Sequence, residues 1–418
     1  MALSLVYSKE YEAEGFAREE CRRREGQGDI MKDYIEHLWE KFLLSSVSAD
    51  IMLGEAADRM GVDLRGCPGR HKEDLLSYAV LSGFSDTIEE AADHIFTERK
   101  AMRPWSELAD VMTADALMDR LYEDILRHTT CYDSRTLRNN PYYQAVPMTE
   151  ARSGSVRLSS GDYLAGEFFQ TWHHSFDASC PFAYGSVGFF DKPVQFPVIL
   201  EKDRLWMSIV MSEIESMKEG VKAAKGRVIT YGLGLGYYAF MAAEKEDVEE
   251  VTAVELNPHV AELFQTYILP HFPNRRKIRI IQDDAYHFIR QQKDGDYDFA
   301  YADFWAGIHD GPALWGRLLP MTKHFQKTKW AYWIENCFID QWFRPAMMAY
   351  FMDTILSRQV KLPEVPKDIR KEQRAFQNFL KGKEIHPKTP EEADALLQPK
   401  TLTALVRRFE EEKEGREK

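Results

Sequence analysis

The sequence predicts an α/β fold whose core is a doubly wound, mainly parallel sheet in the second half of the chain. An apolar, strand-like run at residues 227–231 ends in three alternating glycines, Gly232, Gly234 and Gly236, and a helix-like segment follows. Strand-like and helix-like segments then alternate for about a hundred residues, and three of the predicted strands end in an acidic residue. Strands that alternate with helices of this length favour parallel pairing through right-handed crossovers.

The glycine segment predicts a tight turn between a buried strand and a helix. Glycine adopts left-handed conformations easily and leaves the backbone bare, so a ligand can lie against the turn. Glu255 ends the second predicted strand, 23 residues after Gly232. A carboxylate there can accept hydrogen bonds from both hydroxyls of a ribose. Because Asp284 and Asp303 end the next two strands, the sequence predicts a nucleoside-type site at the carboxyl edge of the sheet.

Each of these residues also has an ordinary structural interpretation. A glycine after a strand can simply form a turn, and an acidic residue at a strand end can cap the following helix. The nucleoside interpretation rests on all of them occurring in register. The predicted elements of this region are strands at 227–231, 250–255, 278–282, 296–302 and 330–335, and helices at 205–225, 237–243, 258–268, 285–291 and 312–325.

The chain of 418 residues is longer than one hydrophobic core usually serves, so more than one domain is expected. The predicted parts are an N-terminal helical domain (1–138), a small β-rich connector (139–204), the nucleoside-binding domain (205–340) and a C-terminal helical extension (341–418). Helical spacing of apolar residues indicates the first and last parts, and frequent proline and glycine indicate the connector. An oligomer formed through the helical parts is a further expectation.

Charge and composition limit the kinds of molecule that we expect the chain to bind. The net charge is −13, and residues 1–140 alone hold 18 Lys/Arg against 28 Asp/Glu. Such an acidic surface is a poor partner for a phosphate backbone, so we expect no nucleic-acid substrate. No apolar run approaches membrane-spanning length. Five scattered cysteines without a Cys-x-x-Cys pair suggest neither a disulfide framework nor a metal site, and favour a cytoplasmic location.

The spacing of the glycines separates two classes of nucleoside fold. Dinucleotide-binding turns follow Gly-x-Gly-x-x-Gly/Ala, but here the third glycine comes one residue early, as Gly236, and Tyr237 takes the sixth position. This spacing, together with Asp284-Ala285, resembles class I S-adenosylmethionine-dependent methyltransferases. The segments that carry the resemblance are VITYGLGLG, VTAVELN, IIQDDAYHFI and YDFAYADFW, between about residues 225 and 336. The resemblance implies a Rossmann-like fold with S-adenosylmethionine as cofactor.

The resemblance also implies a role for each matching residue. The glycines would pass under the methionine part of the cofactor, Glu255 would hold the ribose, Asp284 and Ala285 would contact the adenine, and Asp303 would lie beside the sulfonium. The family often has an acidic residue two positions before the first glycine, where this chain has Thr230. The implied cofactor site is Tyr231, Gly232, Gly234, Gly236, Glu255, Leu256, Asp284, Ala285 and Asp303.

Methyl transfer is an in-line displacement, so the protein mainly positions donor and acceptor, with a base needed only where the acceptor must lose a proton. Asp303 is the predicted catalytic residue by its position. Trp305, His309 and Asp310 in the following loop are predicted substrate contacts, although packing and a polar turn would explain them equally. The acceptor is expected to be a small molecule or a protein.

Two other functions stay open. Spermidine synthases are related and transfer an aminopropyl group from decarboxylated S-adenosylmethionine, but their Asp-Ser-Ser-Asp-Pro loop is replaced here by Asp303-Phe-Trp-Ala-Gly. The other is a binding module that holds the cofactor without turnover.

One further motif, Asn140-Pro-Tyr-Tyr143, partly resembles the Asn-Pro-Pro-Tyr box of amino-methyltransferases. It lacks the second proline and precedes the glycine turn, so we interpret it as a turn.

Overall fold

The computed structural model describes residues 30–39, 42, 129–165, 169–171, 186–307, 310–360 and 367–417. The chain divides into two compact units. One comprises residues 1–45, 176–182 and 339–409, and the other comprises 46–175, 183–338 and 410–418. The predicted four-part division stays a prediction, and most of its N-terminal helical domain lies outside the described residues.

Twelve strands are present in the described part of the chain, and eleven of them precede residue 303. They are β1 (Thr129–Tyr132), β2 (Ala151–Ser153), β3 (Val156–Tyr163), β4 (Phe169–Thr171), β5 (Ser186–Phe190), β6 (Val194–Glu201), β7 (Arg204–Ser208), β8 (Gly226–Tyr231), β9 (Val248–Glu255), β10 (Ile278–Gln282), β11 (Phe299–Ala302) and β12 (Lys329–Tyr332).

The helices alternate with strands β8 to β12, and only helices follow β12 in the described part of the chain. They are α1 (30–39), α2 (Arg135–Arg138), α3 (Pro141–Ala145), α4 (Met211–Ala223), α5 (Tyr237–Ala243), α6 (Pro258–Leu263), α7 (Ala285–Gln291), α8 (Gly311–Thr322), α9 (Glu335–Phe338), α10 (Arg344–Leu356), α11 (Lys367–Gly382), α12 (Pro390–Leu397) and α13 (Pro399–Glu417). Short π-helical turns occupy Phe264–Ile268 and Ile339–Phe343.

The central sheet has five strands in the order β10-β9-β8-β11-β12, and every pair in it is parallel. Strand order therefore reverses beside β8, which is the arrangement of a doubly wound α/β sheet. All four residues of β11 are buried, as are the last four of β8, because helices cover both faces of the sheet. The predicted α/β fold with a mainly parallel, Rossmann-like sheet is confirmed.

The strand predicted over 296–302 begins only at Phe299, and the helix predicted over 205–225 is also wrong at its start. The sequence predicts a single helix over 205–225, but residues Arg204–Ser208 form β7 and the helix α4 begins at Met211. Strand β7 pairs antiparallel with β6, where Leu205 lies opposite Leu200. Leu205 is 63% exposed, so it does not belong to a buried helical stripe. Backbone pairing with β6 overrides the helical spacing in this segment.

Two smaller sheets precede the central one. Strands β2-β3-β6-β7 form an antiparallel sheet, and β1-β5-β4 form a three-stranded mixed sheet.

The fifth strand of the central sheet, β12, ends at Tyr332, three residues earlier than predicted, because the chain turns there and α9 begins at Glu335.

The other unit is helical in its described part after residue 338. The first nine residues of α10, Arg344 to Met352, are all buried, so this helix is surrounded on every side. Arg344 forms an ion pair with Asp340 and donates from Nε to the Leu397 carbonyl at 3.2 Å. Phe343 packs edge-on against Phe376. No helix in the described part of the chain combines the length and apolar character needed to cross a bilayer.

Candidate functional site

The three glycines of the turn between β8 and α5 all adopt left-handed backbone conformations, with φ of 101° at Gly232, 51° at Gly234 and 75° at Gly236. Each also lies where a Cβ would overlap a neighbour. The neighbour is the backbone carbonyl of Asp303 for the first glycine, the Met207 thioether for the second and the Phe264 ring for the third. The turn is therefore closely packed against β7, the π-helical turn after α6, and the residue after β11.

The Glu255 side chain lies against this turn. Its Oε2 accepts a hydrogen bond from the Leu233 N–H at 3.2 Å, and its Oε1 accepts from the Asn257 N–H at 2.8 Å. Burial raises the pKa of Glu255, and backbone hydrogen bonds from the turn oppose that rise. A protein carboxylate therefore already faces the amides of the turn. A phosphate placed there would be repelled, whereas a hydroxyl or a cation would be attracted.

The segment Asn140–Tyr143 supports the glycine turn through hydrogen bonds. Asn140 caps α3, because its Oδ1 accepts from the Tyr142 N–H at 3.0 Å, and its Nδ2 donates to the Tyr237 hydroxyl at 2.9 Å. The buried Tyr142 hydroxyl donates to the Leu235 carbonyl at 2.7 Å. The segment thus begins a short helix and is not the plain turn that we expected. The sequence gives no sign that it contacts the glycines, which follow it by about ninety residues.

Asp303 follows β11 and lies beside the end of β8. Its N–H donates to the Tyr231 carbonyl at 2.7 Å, which extends the pairing of the two strands by one residue. Asp303 is half-buried, and the burial of its carboxyl raises the pKa of Asp303 to about 7. A carboxyl that titrates near neutral pH is suited to exchange protons with a bound molecule.

Two tyrosines border this carboxyl. Tyr238 from α5 stacks on Tyr301 from β11, with ring centroids 4.0 Å apart and an interplanar angle of 8°. Burial raises the pKa of both phenols, and the charge of Asp303 adds to the rise. The Tyr238 hydroxyl donates to the Gly220 carbonyl at 3.4 Å, whereas the buried Tyr301 hydroxyl has no hydrogen-bond partner among the described residues.

Glu213 on α4 is a further candidate residue that the sequence reasoning missed. Burial raises its pKa to about 8, and the charge of Asp303 contributes to the rise. The signal was present, because Glu213, Met217 and Gly220 share one helix face at spacings of four and three. An acidic residue on the apolar face of an amphipathic helix is unusual and indicates a functional or specially solvated position.

Asp284 and Ala285 lie at the start of α7. Asp284 is the N-cap of this helix, and its Oδ1 accepts from the His287 N–H at 2.9 Å. The capping role and an adenine contact can coexist, because a carboxylate has further acceptor positions on its second oxygen. Ala285 is buried. The contact of these residues with an adenine stays a prediction.

The side chains of Tyr231 and Leu256 lie in different surroundings. The Tyr231 ring is buried and stacks on Trp330, with centroids 5.7 Å apart and planes 5° apart, so only its backbone is at the strand end. Leu256 is 66% exposed although it directly follows the buried Glu255. The predicted contact of Leu256 with a cofactor stays a prediction.

The loop after Asp303 is held by its own hydrogen bonds. Asp310 accepts from the N–H groups of Ala306 and Gly307, both at 2.9 Å. Trp305 is buried against Phe338, with centroids 5.7 Å apart. The described residues thus show the loop-closing and packing roles, and the substrate contacts stay predictions. His309 lies outside the described residues. Among the residues that the structure describes, no group of three or more potential ligands could hold a metal ion.

No protein-family model matches the chain, and none of the curated proteins matches it. Among solved structures, the chain is similar to spermidine synthase from Thermotoga maritima and to a spermidine synthase in complex with the transition state analogue AdoDATO. Each match has 10% identity and a TM-score of 0.25 and covers 44% of this chain. It covers 65% of each spermidine synthase chain, which is less than two thirds. At this TM-score the likeness carries no weight for fold or function.

Proposed function

We propose that this chain is an S-adenosylmethionine-dependent methyltransferase that acts on a small-molecule or protein acceptor. The observation that supports it best is the pair of carboxyls on either side of the glycine turn. Glu255 at the end of β9 bonds to the turn, and Asp303 ends β11 on the other side of β8. This is the position at which strand order reverses, where open α/β sheets bind nucleosides.

The residues around the turn fit a nucleoside with a short cationic tail. The Glu255 carboxylate can accept from ribose hydroxyls while it keeps its bonds to Leu233 and Asn257, since each carboxylate oxygen accepts twice. Asp284 and Ala285 would hold the adenine, with Leu256 beside it. The early third glycine is the feature that disfavours a dinucleotide here.

Bound S-adenosylmethionine would supply an electrophilic methyl group on a positively charged sulfur. The chain's contribution is to hold this donor at the end of β8 and to place Asp303 beside the acceptor. Where the acceptor must lose a proton, the ionised Oδ of Asp303 would accept it, because its pKa of about 7 leaves it partly ionised at neutral pH. Apart from this proton transfer, the proposed rate enhancement would come from holding the donor and the acceptor in position.

Aminopropyl transfer from decarboxylated S-adenosylmethionine is the second function that stays open for the same site. A module that binds the cofactor without turnover is the third possibility for the same site.

Ligand affinity tests the proposed site. The change Glu255→Gln removes the negative charge that would hold the ribose and weakens the bond to the turn. We expect the Kd for S-adenosylmethionine, measured by calorimetry, to rise about 10- to 100-fold, because charge-assisted hydrogen bonds contribute about 1.5–3 kcal/mol. Glu250→Gln is the matched control, since it makes the same change at an exposed position of β9. Equal affinity in the two variants would contradict the assignment.

Turnover tests the reaction. The purified chain is incubated with a donor labelled in its methyl group, with decarboxylated donor in parallel, and with size fractions of a cell extract. Methyl transfer gives S-adenosylhomocysteine and a labelled acceptor, whereas aminopropyl transfer gives methylthioadenosine from the decarboxylated donor alone. Tight binding without either product would support the binding module instead.

A further inference from the structure

We propose that the exposed face of α11 binds the phosphate backbone of a double-stranded nucleic acid. This face, which we call the basic stripe, consists of Lys367, Lys371, Arg374, Asn378 and Lys381. The inference goes beyond the proposed function, because it concerns a helix of the other compact unit and needs neither a methyl donor nor turnover.

Helical periodicity places the basic stripe along one side of α11. Its members follow one another at intervals of four, three, four and three residues, and residues at these spacings are neighbours on a helix surface. All five are exposed, and at about 1.5 Å per residue the stripe extends for about 21 Å. Glu372, the acidic residue of α11 whose side chain is described, is half-buried and lies outside the stripe.

The opposite face of α11 is packed within the protein, so the basic stripe stays directed outward. The Phe376 ring packs edge-on against the rings of Phe343 and Phe409, with centroids 5.2 and 5.4 Å away. The Gln373 Nε2 donates to the Trp342 carbonyl at 3.1 Å. The buried residues of this face are Ile369, Gln373, Phe376 and Leu380.

The four cations of the basic stripe are not neutralised by carboxylates in the described part of the chain. None of them forms an ion pair with another described residue. Lys218 and Lys222 on α4 provide a contrast, because they are also exposed and one helical turn apart, but each pairs with a glutamate three residues before it, at 2.5 and 3.6 Å. At physiological salt, charges more than about 8 Å away are largely screened, so the stripe attracts anions although the chain has a net charge of −13.

The composition of the basic stripe favours a duplex backbone over other anionic partners. Its five residues include no apolar or aromatic side chain, whereas protein interfaces have an apolar core in which lysine is depleted. A helix that lies on a membrane inserts its apolar face, but that face of α11 is buried within the protein. A single strand is held by aromatic side chains that stack on its bases. Lysine, arginine and asparagine are side chains that contact phosphates.

A duplex also supplies enough charge along the length of the basic stripe. It carries one negative charge per about 1.7 Å, so about 21 Å of duplex offers about twelve phosphates to the four cations. Such contacts position a protein on a duplex without reading its sequence. The expectation of no nucleic-acid substrate rests on residues 1–140, which do not include α11, and the duplex proposed here is a partner and not the methyl acceptor.

Fluorescence anisotropy tests this binding with the full chain and short labelled duplexes of RNA and of DNA. Four phosphate contacts give a slope of about −3.6 for log K against log salt, so affinity should fall about 100-fold between about 50 mM and 200 mM salt. Binding of RNA, of DNA or of both with this salt dependence supports the proposal and identifies the duplex. Binding of neither duplex at about 50 mM salt overturns it. A poly-glutamate peptide that binds as tightly as the duplexes would indicate an acidic protein partner and also overturn it.

Two double variants locate the contact. Lys371→Gln/Arg374→Gln removes two of the four cations, so the loss of affinity over the same salt range should shrink to about 10-fold. Lys218→Gln/Lys222→Gln is the matched control, since it removes two exposed charges that are already paired, and it should keep the wild-type salt dependence. Equal salt dependence in the wild type and the stripe variant would contradict the proposal, as would an equal change in the control. Circular dichroism checks folding, and the salt dependence of the wild type tests the proposal without any variant.

Discussion

Single residues in the glycine turn differ in what they tolerate. Gly232 lies against a backbone carbonyl, which cannot move aside, whereas the neighbours of Gly234 and Gly236 are side chains. The left-handed φ of Gly232 adds to the strain of any larger residue there. Gly307 provides a contrast within the same site, because no atom of the described residues lies within 4 Å of an added Cβ.

We therefore predict that Gly232→Ala lowers the free energy of unfolding by about 3 kcal/mol or prevents folding, since it combines left-handed strain with a backbone clash. Gly307→Ala should change stability by less than about 0.5 kcal/mol. Urea denaturation of both variants measures the difference. A stable Gly232→Ala protein would mean that β8 and β11 do not approach as closely as described here.

The sequence predicts the positions of these candidate residues at the strand ends better than it predicts the groups that their side chains contact. The strand-end positions of Glu255, Asp284 and Asp303 follow from alternation of apolar and polar runs, which is a local signal. The capping of α7 by Asp284 was an open alternative from the start. Glu213 was missed although its place on the apolar face of α4 is visible in the sequence, because only tertiary packing shows that this face lies against β11.

Among the secondary-structure elements, α3 has the clearest supporting role. It is only five residues long, and its stability comes from the contacts that Tyr142 makes with the glycine turn and with Phe240 and Phe272. The Tyr142 hydroxyl satisfies the Leu235 carbonyl inside the turn. The helix thus fixes the backbone on which the proposed cofactor would lie.

We predict that Tyr142→Phe lowers the free energy of unfolding by about 1–2 kcal/mol, because it leaves the buried Leu235 carbonyl without a donor. The Kd for S-adenosylmethionine should rise as the turn loosens. Tyr267→Phe is the matched control, since that tyrosine is 41% exposed and should change neither quantity. Denaturation and calorimetry measure the two effects, and equal behaviour of the variants would remove α3 from the support of the turn.

The strand β7 shows why the boundaries of elements were harder to predict than their existence. Its apolar residues fit helical spacing with α4, but the hairpin with β6 competes for the same backbone. The result places the Met207 thioether against Gly234, so the small antiparallel sheet contributes to the site. Long, regular alternation from β8 to β12 left no such competition and was predicted correctly in order.

For the whole molecule, the half-buried carboxyl of Glu213 links folding to pH. The pKa of Glu213 is raised from 4.5 to about 8 by burial first and by Asp303 second. The unfolded chain therefore loses this proton at a lower pH than the folded chain. The stabilising contribution is fully present below about pH 4.5 and is lost as pH rises through the folded pKa of about 8.

We predict that Glu213→Gln, which keeps the shape but cannot ionise, gains stability over the wild type as pH rises. The difference in the free energy of unfolding should be small at about pH 5 and reach about 1–3 kcal/mol at about pH 8; the full shift, at about 1.4 kcal/mol per pKa unit, is reduced because Glu213 is partly exposed. Urea titrations across this range measure it. Glu219→Gln should show no such trend, and a pH-independent difference for Glu213→Gln would mean that Glu213 is ionised in the folded protein throughout.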